Sequence, residues 1–356
     1  MTMRIIGFPS LYVQGPGALR ELPRCLDAVA GRGTPAAIVD PFVAPLFRDL
    51  SDVEGMKVIE FAGECTMGEI SRLVATLRDD SIGVILGAGG GKALDTAKMV
   101  AHELGLPIII APTVASSDAP TSRIAAIYDD HHRIISVPRL RRNPDAVIVD
   151  TDIIRKAPAR FFAAGIGDAI TKKYEVAESV RAGNLNFFDG APVGLALLLA
   201  EECGAVLYRD AEAALTAVRE GREDPAIERV VEATVLYSGL AFEGGGLSVA
   251  HGMLRGLTAR PETLTVLHGE LVAYGVLVQE VLAGSPPDEI KRLRDFLTRL
   301  GLPVSLTQIG LGRVGREAID RIAAMTFEAN YIASQTAARG ITPSSLAQAI
   351  VDTEAL

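Results

Sequence analysis

Three polar residues near the starts of helical segments have the chemistry of metal ligands. Asp168 lies in AAGIGDAITKKYE, His251 follows GGGLSVA, and His268 opens the apolar stretch HGELVAYGVLVQ. An ionisable group that enters an apolar helix needs a partner. One carboxylate and two imidazoles suit a divalent metal with coordination positions left open for substrate. Because the three residues are far apart in sequence, helix caps and core histidines remain the alternative explanation.

The segment GAGGGKALDTAK, residues 87–98, has the composition of a phosphate-binding loop. It follows the strand-like SIGVIL and runs into a helical segment, and four of its first five residues are glycines. Bare backbone lets a ligand approach closely, and a helix N-terminus attracts anions. The spacing is not G-x-G-x-x-G, and no Ser or Thr follows Lys92 as in a Walker loop. A tight turn required by packing is the alternative.

Two further segments could line a polar ligand. Asp40 ends the strand-like AAIVD, where a carboxylate can accept hydrogen bonds from ribose hydroxyls or simply cap a turn. In IIIAPTVASSDAPTS, residues 108–122, an apolar strand ends in a loop of small hydroxyl residues around Asp118. Such loops bind polar ligands but are also ordinary turns. The remaining histidines, in a helix and in a predicted hairpin turn, are assigned no function: His102, His131 and His132.

The elements that must position these residues change character along the chain. Short apolar runs alternate with helical patterns 69–80 and 92–105, which predicts a mostly parallel, Rossmann-like sheet. Ligands of such sheets bind beyond the carboxyl ends of the strands. From about residue 158 only helical spacing is found. We predict an α/β domain (1–157), an all-α domain (158–356), a hinge at 157–160 and an active site in the cleft between the domains. The predicted strands are 36–40, 57–62, 83–88, 106–112 and 146–150.

Composition excludes several classes of protein. The chain has 356 residues, a net charge of −9 and no long basic block, which argues against a nucleic-acid surface. Its longest apolar runs are about half of the ~20 residues that a membrane span needs. The N-terminus lacks the apolar core of a signal peptide. Cys25, Cys65 and Cys203 are scattered and odd in number, which indicates free thiols and a cytoplasmic location.

Five segments occur in one order along the chain and together carry a resemblance to a known family. They are GAGGGKALDTAK, APTVASSDAPTS, AAGIGDAITKKYE, GGGLSVAHGMLRGLT and LHGELVAYG. The chain resembles the glycerol dehydrogenases of the group III, metal-dependent (iron-containing) alcohol dehydrogenase family. The resemblance implies the dehydroquinate synthase-like architecture of this family: an NAD-binding α/β domain followed by a helical domain, with a catalytic metal.

The resemblance also assigns roles to individual residues. It implies that Asp168, His251 and His268 are catalytic metal ligands, and that Asp118 contacts a substrate hydroxyl. The metal would be Zn²⁺, with Fe²⁺ or another divalent ion as alternatives. The family further implies a homo-oligomer built from dimers, up to an octamer. The residues matching its cofactor contacts are Asp40, Gly89, Gly90, Gly91, Lys92, Asp95, Thr113, Ser116, Ser122 and Tyr128.

The expected function is therefore NAD-dependent oxidation of a polyol, with glycerol to dihydroxyacetone as the first choice. The mechanism expected is metal-assisted alkoxide formation followed by hydride transfer to nicotinamide. The chain departs from its relatives at Lys172 and Arg255, where histidines are expected. These cations could bind the anionic group of a phosphorylated substrate, pair with Glu175 or Glu243, or point to solvent. The alternatives are a phosphorylated or cyclic polyol, a dehydroquinate synthase-type lyase, and a non-catalytic nucleotide-binding scaffold.

Overall fold

The computed structural model describes residues 2–29, 33–49, 53, 55–130, 132–328 and 340–356. His131, predicted to lie in a hairpin turn, falls outside these residues. The chain divides into two compact units, which are described separately below. One unit is Gly7–Pro158, and the other combines Met1–Ile6 with Ala159–Leu356.

The first unit is built on a six-stranded sheet in which all neighbouring strands are parallel. The strand order is β1-β8-β5-β4-β2-β3. The chain leaves β2 and β4, which are neighbours, towards opposite edges of the sheet, and ligands of α/β proteins bind at such a point. A short antiparallel ribbon, β6–β7, lies outside the sheet. The strands are β1 Leu11–Gly15, β2 Thr34–Val39, β3 Lys57–Glu60, β4 Ile82–Gly89, β5 Ile108–Pro112, β6 Ile127–Tyr128, β7 Ile134–Ser136 and β8 Ala146–Asp150.

The central strands of this sheet are apolar along their whole length because both faces are covered. All residues of β5 and β8 are buried, as are seven of the eight in β4. Parallel strands with helices on both sides show this pattern, whereas half-exposed strands alternate. The helices of this unit are α1 Leu22–Val29, α2 Ala44–Arg48, α3 Met67–Leu77, α4 Gly91–Leu104 and α5 Thr151–Lys156.

The second unit is helical. Its central helix, α12, is buried over most of its length, which fits its apolar sequence on every face. The first residues of the chain join this unit, where Asn186 Nδ2 donates a hydrogen bond of 2.6 Å to the Ile5 carbonyl. A π-helical turn, Ala233–Tyr237, links α8 and α9. The helices are α6 Ala159–Ala182, α7 Gly194–Glu220, α8 Pro225–Glu232, α9 Ser238–Gly245, α10 Val249–Gly252, α11 Leu254–Thr258, α12 His268–Ala283, α13 Pro287–Leu300, α14 Arg316–Thr326 and α15 Pro343–Thr353.

The predicted architecture, a parallel α/β unit followed by a helical one, is confirmed. Among the helices that the structure describes, none combines the length and the apolar character needed to cross a bilayer.

Candidate functional site

Helices α6 and α12 approach each other so closely that glycine is required at their crossing. A Cβ atom at Gly269 would lie 1.8 Å from the Ala164 carbonyl oxygen, and one at Gly167 would lie 2.6 Å from the Gly269 carbonyl oxygen. Real Cβ contacts are never this short, so any larger residue would push the helices apart. Gly167 directly precedes the predicted ligand Asp168, and Gly269 directly follows the predicted ligand His268. The crossing therefore brings Asp168 on α6 next to His268 on α12.

Asp168, His251 and His268 meet at one point of the helical unit. Their potential ligand atoms all lie within 4.8 Å of one another. Nε2 of His251 is 3.3 Å from Asp168 Oδ1, and Nε2 of His268 is 3.8 Å from the same oxygen. Asp168 and His251 are buried, whereas the His268 side chain is 40% exposed. The cluster thus combines an oxygen and two nitrogen donors with one side open to solvent.

Glu175 orients His251 and was not predicted as a site residue. This fully buried carboxylate accepts hydrogen bonds from the backbone N–H groups of Ser248 and His251, both at 3.0 Å. Its second oxygen lies 2.5 Å from His251 Nδ1. A carboxylate on one ring nitrogen leaves the other nitrogen free to ligate a metal, an arrangement common around metal-bound histidines. Here the free nitrogen is Nε2, which faces Asp168.

The charges of the cluster shift the acid–base properties of its members. Burial raises the pKa of Asp168, but Lys172, His251 and His268 outweigh it and hold that pKa well below its ordinary value. Burial and, to a lesser extent, Lys172 lower the pKa of His251, but Glu175 and Asp168 together outweigh them and raise it to about 9. A metal binds neutral imidazole, so loading the site would release a proton.

Lys172 and Arg255, the two cations that depart from the family pattern, lie in different environments. The Lys172 side chain is fully buried, and its Nζ lies 2.6 Å from Asp168 Oδ1. This contact with Asp168 was not among the interpretations from the sequence, although the charge of Lys172 also lowers the pKa of Glu175. Arg255 is exposed on α11. The Asp168–Lys172 pair is therefore part of the candidate metal site.

In the α/β unit, three predicted cofactor residues lie side by side at the carboxyl edge of the sheet. The Asp40 amide donates to the Ala88 carbonyl at 2.9 Å, and the Thr113 amide donates to the Gly89 carbonyl at 3.0 Å. Asp40 Oδ1 also accepts a hydrogen bond of 3.0 Å from the amide of Phe42, so the carboxylate caps its own turn. This edge lies where the connections of β2 and β4 diverge.

The three glycines around the start of α4, Gly89, Gly90 and Gly91, are not equivalent. Gly89 has φ of +144°, and a Cβ there would lie 2.8 Å from the Ala93 Cβ, so conformation and packing both require glycine. At Gly90 and Gly91 the nearest atom to an added Cβ is 3.4 Å away, which is at the short limit of an ordinary van der Waals contact. Conformation and packing thus explain Gly89 without a ligand. The bare backbone at the other two positions, at the start of a 14-residue helix, fits an anionic ligand.

The other predicted cofactor residues surround this loop and contact one another or neighbouring side chains. Lys92 Nζ lies 2.7 Å from Glu64 Oε2, a partner that was not predicted, and 4.7 Å from the centre of the Tyr128 ring. Asp95 accepts a hydrogen bond of 2.8 Å from the Ala126 amide. These contacts hold the segment after β5 against α4.

Lys98, another residue that was not predicted, anchors the hydroxyl-rich loop. Its buried Nζ lies 2.8 Å from Asp95 Oδ1 and donates to the Ile124 carbonyl at 2.6 Å. Ser122 is fully buried, with its Oγ 3.5 Å from the same nitrogen. Asp118 is 9% exposed and precedes a 3-10 turn, and Ser116 is half-buried.

Comparison with known proteins identifies the family. Residues 9–151 match the model of the iron-containing alcohol dehydrogenases. The chain is 40% identical to the glycerol dehydrogenase of Escherichia coli O6:H1, over 86% of this chain and 85% of that protein. It is also 40% identical to the glycerol dehydrogenase of Thermotoga maritima, over 91% and 89%. The chain belongs to the iron-containing alcohol dehydrogenase family.

Solved structures agree with this membership of the iron-containing alcohol dehydrogenase family. A probable glycerol dehydrogenase from Sinorhizobium meliloti superposes with a TM-score of 0.94 at 35% identity, covering 100% of this chain and 99% of that one. The resemblance deduced from the five sequence segments is therefore confirmed.

The residues of this family member fit a metal ion. The donor set is one carboxylate oxygen and two imidazole nitrogens, and Glu175 already fixes the orientation of His251. Lys172 is the exception, because its ammonium group contacts the carboxylate oxygen that both imidazoles face.

Proposed function

We propose that this chain is an NAD-dependent polyol dehydrogenase that converts glycerol and NAD⁺ to dihydroxyacetone, NADH and a proton. The observation that carries the proposal is the convergence of Asp168, His251 and His268 within 4.8 Å. It is supported by relatives named glycerol dehydrogenase at 40% identity over most of the chain.

Asp168, His251 and His268 would hold the metal ion. The ion would supply Lewis acidity, which lowers the pKa of an alcohol hydroxyl. Glu175 keeps Nε2 of His251 directed at Asp168, and the exposed side of His268 leaves room for a substrate. We propose Zn²⁺ because three nitrogen and oxygen ligands with an open position are typical of catalytic zinc, with Fe²⁺ as the alternative.

The glycine loop would hold the pyrophosphate of NAD, whose nicotinamide supplies the redox chemistry. The backbone amides at Gly90 and Gly91 and the positive end of α4 would bind the phosphates. Asp40 would accept hydrogen bonds from the adenine ribose, and Asp118 would position a substrate hydroxyl. The remaining proposed contacts are Gly89, Lys92, Asp95, Thr113, Ser116, Ser122 and Tyr128.

Steady-state assays on the purified full-length protein test this function. Protein stripped of metal and reloaded with Zn²⁺, Fe²⁺ or Mn²⁺ is given NAD⁺ with glycerol, glycerol phosphate or a cyclitol, and NADH formation is followed. We expect turnover of glycerol that requires the metal and disappears in His251→Ala. The matched control His102→Ala, at a half-buried position of α4, should be unaffected. If only a phosphorylated or cyclic polyol is turned over, that compound replaces glycerol as the proposed substrate. If none of the three compounds gives NADH, the proposal is refuted.

The role of Asp118 has its own test. Asp118→Asn should lower kcat/KM for glycerol and leave NADH binding intact, whereas the exposed Asp130→Asn should change neither. Unchanged kinetics of Asp118→Asn would remove this residue from the substrate site.

Two further features belong to the proposal. We propose a cytoplasmic location because Cys25, Cys65 and Cys203 are free, buried thiols. We also propose a homo-oligomer built from dimers, which analytical ultracentrifugation would test; a monomer at assay concentration would contradict it.

A further inference from the structure

Lys172 shares one carboxylate oxygen with the candidate metal ligands. It lies one helical turn after Asp168 on α6, and its ammonium nitrogen donates to Asp168 Oδ1 at 2.6 Å and to the Asp168 backbone carbonyl at 3.1 Å. The nitrogens of His251 and His268 face the same Oδ1 at 3.3 and 3.8 Å. A metal ion held by Asp168, His251 and His268 would therefore compete with the ammonium group of Lys172 for the same oxygen atom, Asp168 Oδ1.

Lys172 lies in a buried network of charges that also contains Glu175, whose pKa it helps to lower. The Lys172 side chain is fully buried, and the centre of the Phe242 ring lies 5.9 Å from Nζ. Away from water, like charges a few ångströms apart repel far more strongly than they do at the surface. Lys172 therefore helps the two histidines to neutralise Asp168 without a metal, and a divalent ion at this site lies close to a positive charge that cannot move into solvent.

We propose that Lys172 is a built-in competitor for the metal. Its ammonium group keeps Asp168 paired and the site assembled when no metal is bound, and it weakens binding of a divalent cation by at least about tenfold relative to a neutral side chain. A tenfold change corresponds to about 1.4 kcal/mol. This inference rests on the metal site of the proposed function, and it predicts a site that loads and releases its ion readily.

The test is the affinity of the full-length protein for Zn²⁺ alone, measured by competition with a chromophoric chelator at one pH. Lys172→Met should bind Zn²⁺ at least about tenfold more tightly than the wild type. Its metal-free form should unfold at a lower temperature, because the buried carboxylate has lost its lysine partner, and Zn²⁺ should raise its Tm more than that of the wild type. Lys172→Gln, which keeps a hydrogen-bond donor without the charge, separates charge from hydrogen bonding and is the second variant if Lys172→Met does not fold.

Lys173→Met is the matched control. It removes the next lysine of the same helix, whose partly exposed side chain pairs with Glu201, and it should leave the Zn²⁺ affinity unchanged. Neutral variants that bind Zn²⁺ no more tightly than the wild type would overturn the inference and leave the metal site standing. If neither the wild type nor the neutral variants show Zn²⁺ binding that depends on His251, as tested with His251→Ala, the metal site of the proposed function fails as well. Binding by the neutral variants alone would support competition by Lys172 but would contradict the metal-dependent turnover of the proposed function.

Discussion

Replacing Glu175 with Gln should disable His251 without changing the shape of the site. The carboxylate accepts hydrogen bonds only, and it receives three: from two backbone amides at Oε1 and from His251 Nδ1 at Oε2. A glutamine offers one acceptor oxygen and one NH₂ group in the same space. The two backbone N–H groups cannot rotate, so the oxygen must remain with them. The NH₂ group then faces His251 Nδ1.

The consequence is a change of tautomer in the neutral form of His251, which is the form that binds a metal. A ring nitrogen that faces an NH₂ group must accept, so its proton moves to Nε2, the atom that lies 3.3 Å from Asp168 Oδ1. A protonated Nε2 cannot ligate a metal. Loss of such an orienting carboxylate lowers metal affinity by about 10–100-fold, or about 1.4–2.7 kcal/mol. The variant also loses one of the two carboxylates, Glu175 and Asp168, that raise the pKa of His251 to about 9 against the effect of burial, so that pKa should fall.

The assay is a Zn²⁺ titration of metal-free protein against a chromophoric chelator, with NMR of the imidazole nitrogens to report the tautomer. Glu201→Gln makes the same chemical change at an exposed position of α7 and should bind Zn²⁺ like the wild type. Turnover of glycerol by Glu175→Gln should fall in parallel and recover partly in excess Zn²⁺. If Glu175→Gln binds Zn²⁺ as tightly as the wild type and keeps the proton on Nδ1, the hydrogen-bond argument is wrong.

Three further changes test the packing and electrostatics that position the site. Gly89→Ala should destabilise the protein by about 1–3 kcal/mol because of its positive φ, whereas Gly90→Ala should keep the Tm and weaken NADH binding; thermal unfolding and NADH fluorescence separate the two. Gly269→Ala should cost about 3 kcal/mol in urea unfolding and also weaken Zn²⁺ binding, because it forces α6 and α12 apart. A hydrogen bond from Arg229 helps to lower the pKa of Asp210 from 3.8 to about 2. The ionised Asp210 therefore stabilises the folded protein fully above pH 3.8, and this stabilisation is lost as the pH falls through about 2. The free energy of unfolding of Asp210→Asn should therefore be lower than that of the wild type by about 1–2 kcal/mol at neutral pH. This value allows for solvent screening at Arg229, whose side chain is half-exposed, and the difference between the two proteins should vanish in acid.

The sequence predicts the interior of the sheet better than its edge. Strands β4 and β5 are buried on both faces, so they must be apolar throughout and stand out as β-branched runs. Strand β1, LYVQG, was not predicted because it is half-buried, only five residues long and at the edge of the sheet. The π-helical turn at Ala233–Tyr237 was also missed, because one extra residue in a helical turn leaves the apolar pattern almost unchanged.

At the candidate metal centre, the sequence indicates the ligands but not their partners. Asp168, Lys172 and Glu175 stand at positions i, i+4 and i+7 of α6, so a shared helix face could have been deduced. Which of them pairs with which depends on how closely α10 and α12 approach that face. The approach is set by glycines whose importance appears only when the neighbouring backbone is known.

The charges on this face of α6 are hard to explain by stability alone. Asp168, Lys172 and Glu175 are each completely buried, and taking such groups out of water commonly costs as much as their pairing returns. Apolar side chains of similar size would fill the same space without that cost. The network instead fixes one nitrogen of His251 and ends at His268, the one member of the Asp168–His251–His268 cluster that is exposed to solvent. Binding an ion from solution requires donor atoms that are held in one orientation and face a side open to solvent. The buried charges provide this orientation, which supports the proposed metal site independently of the relatives.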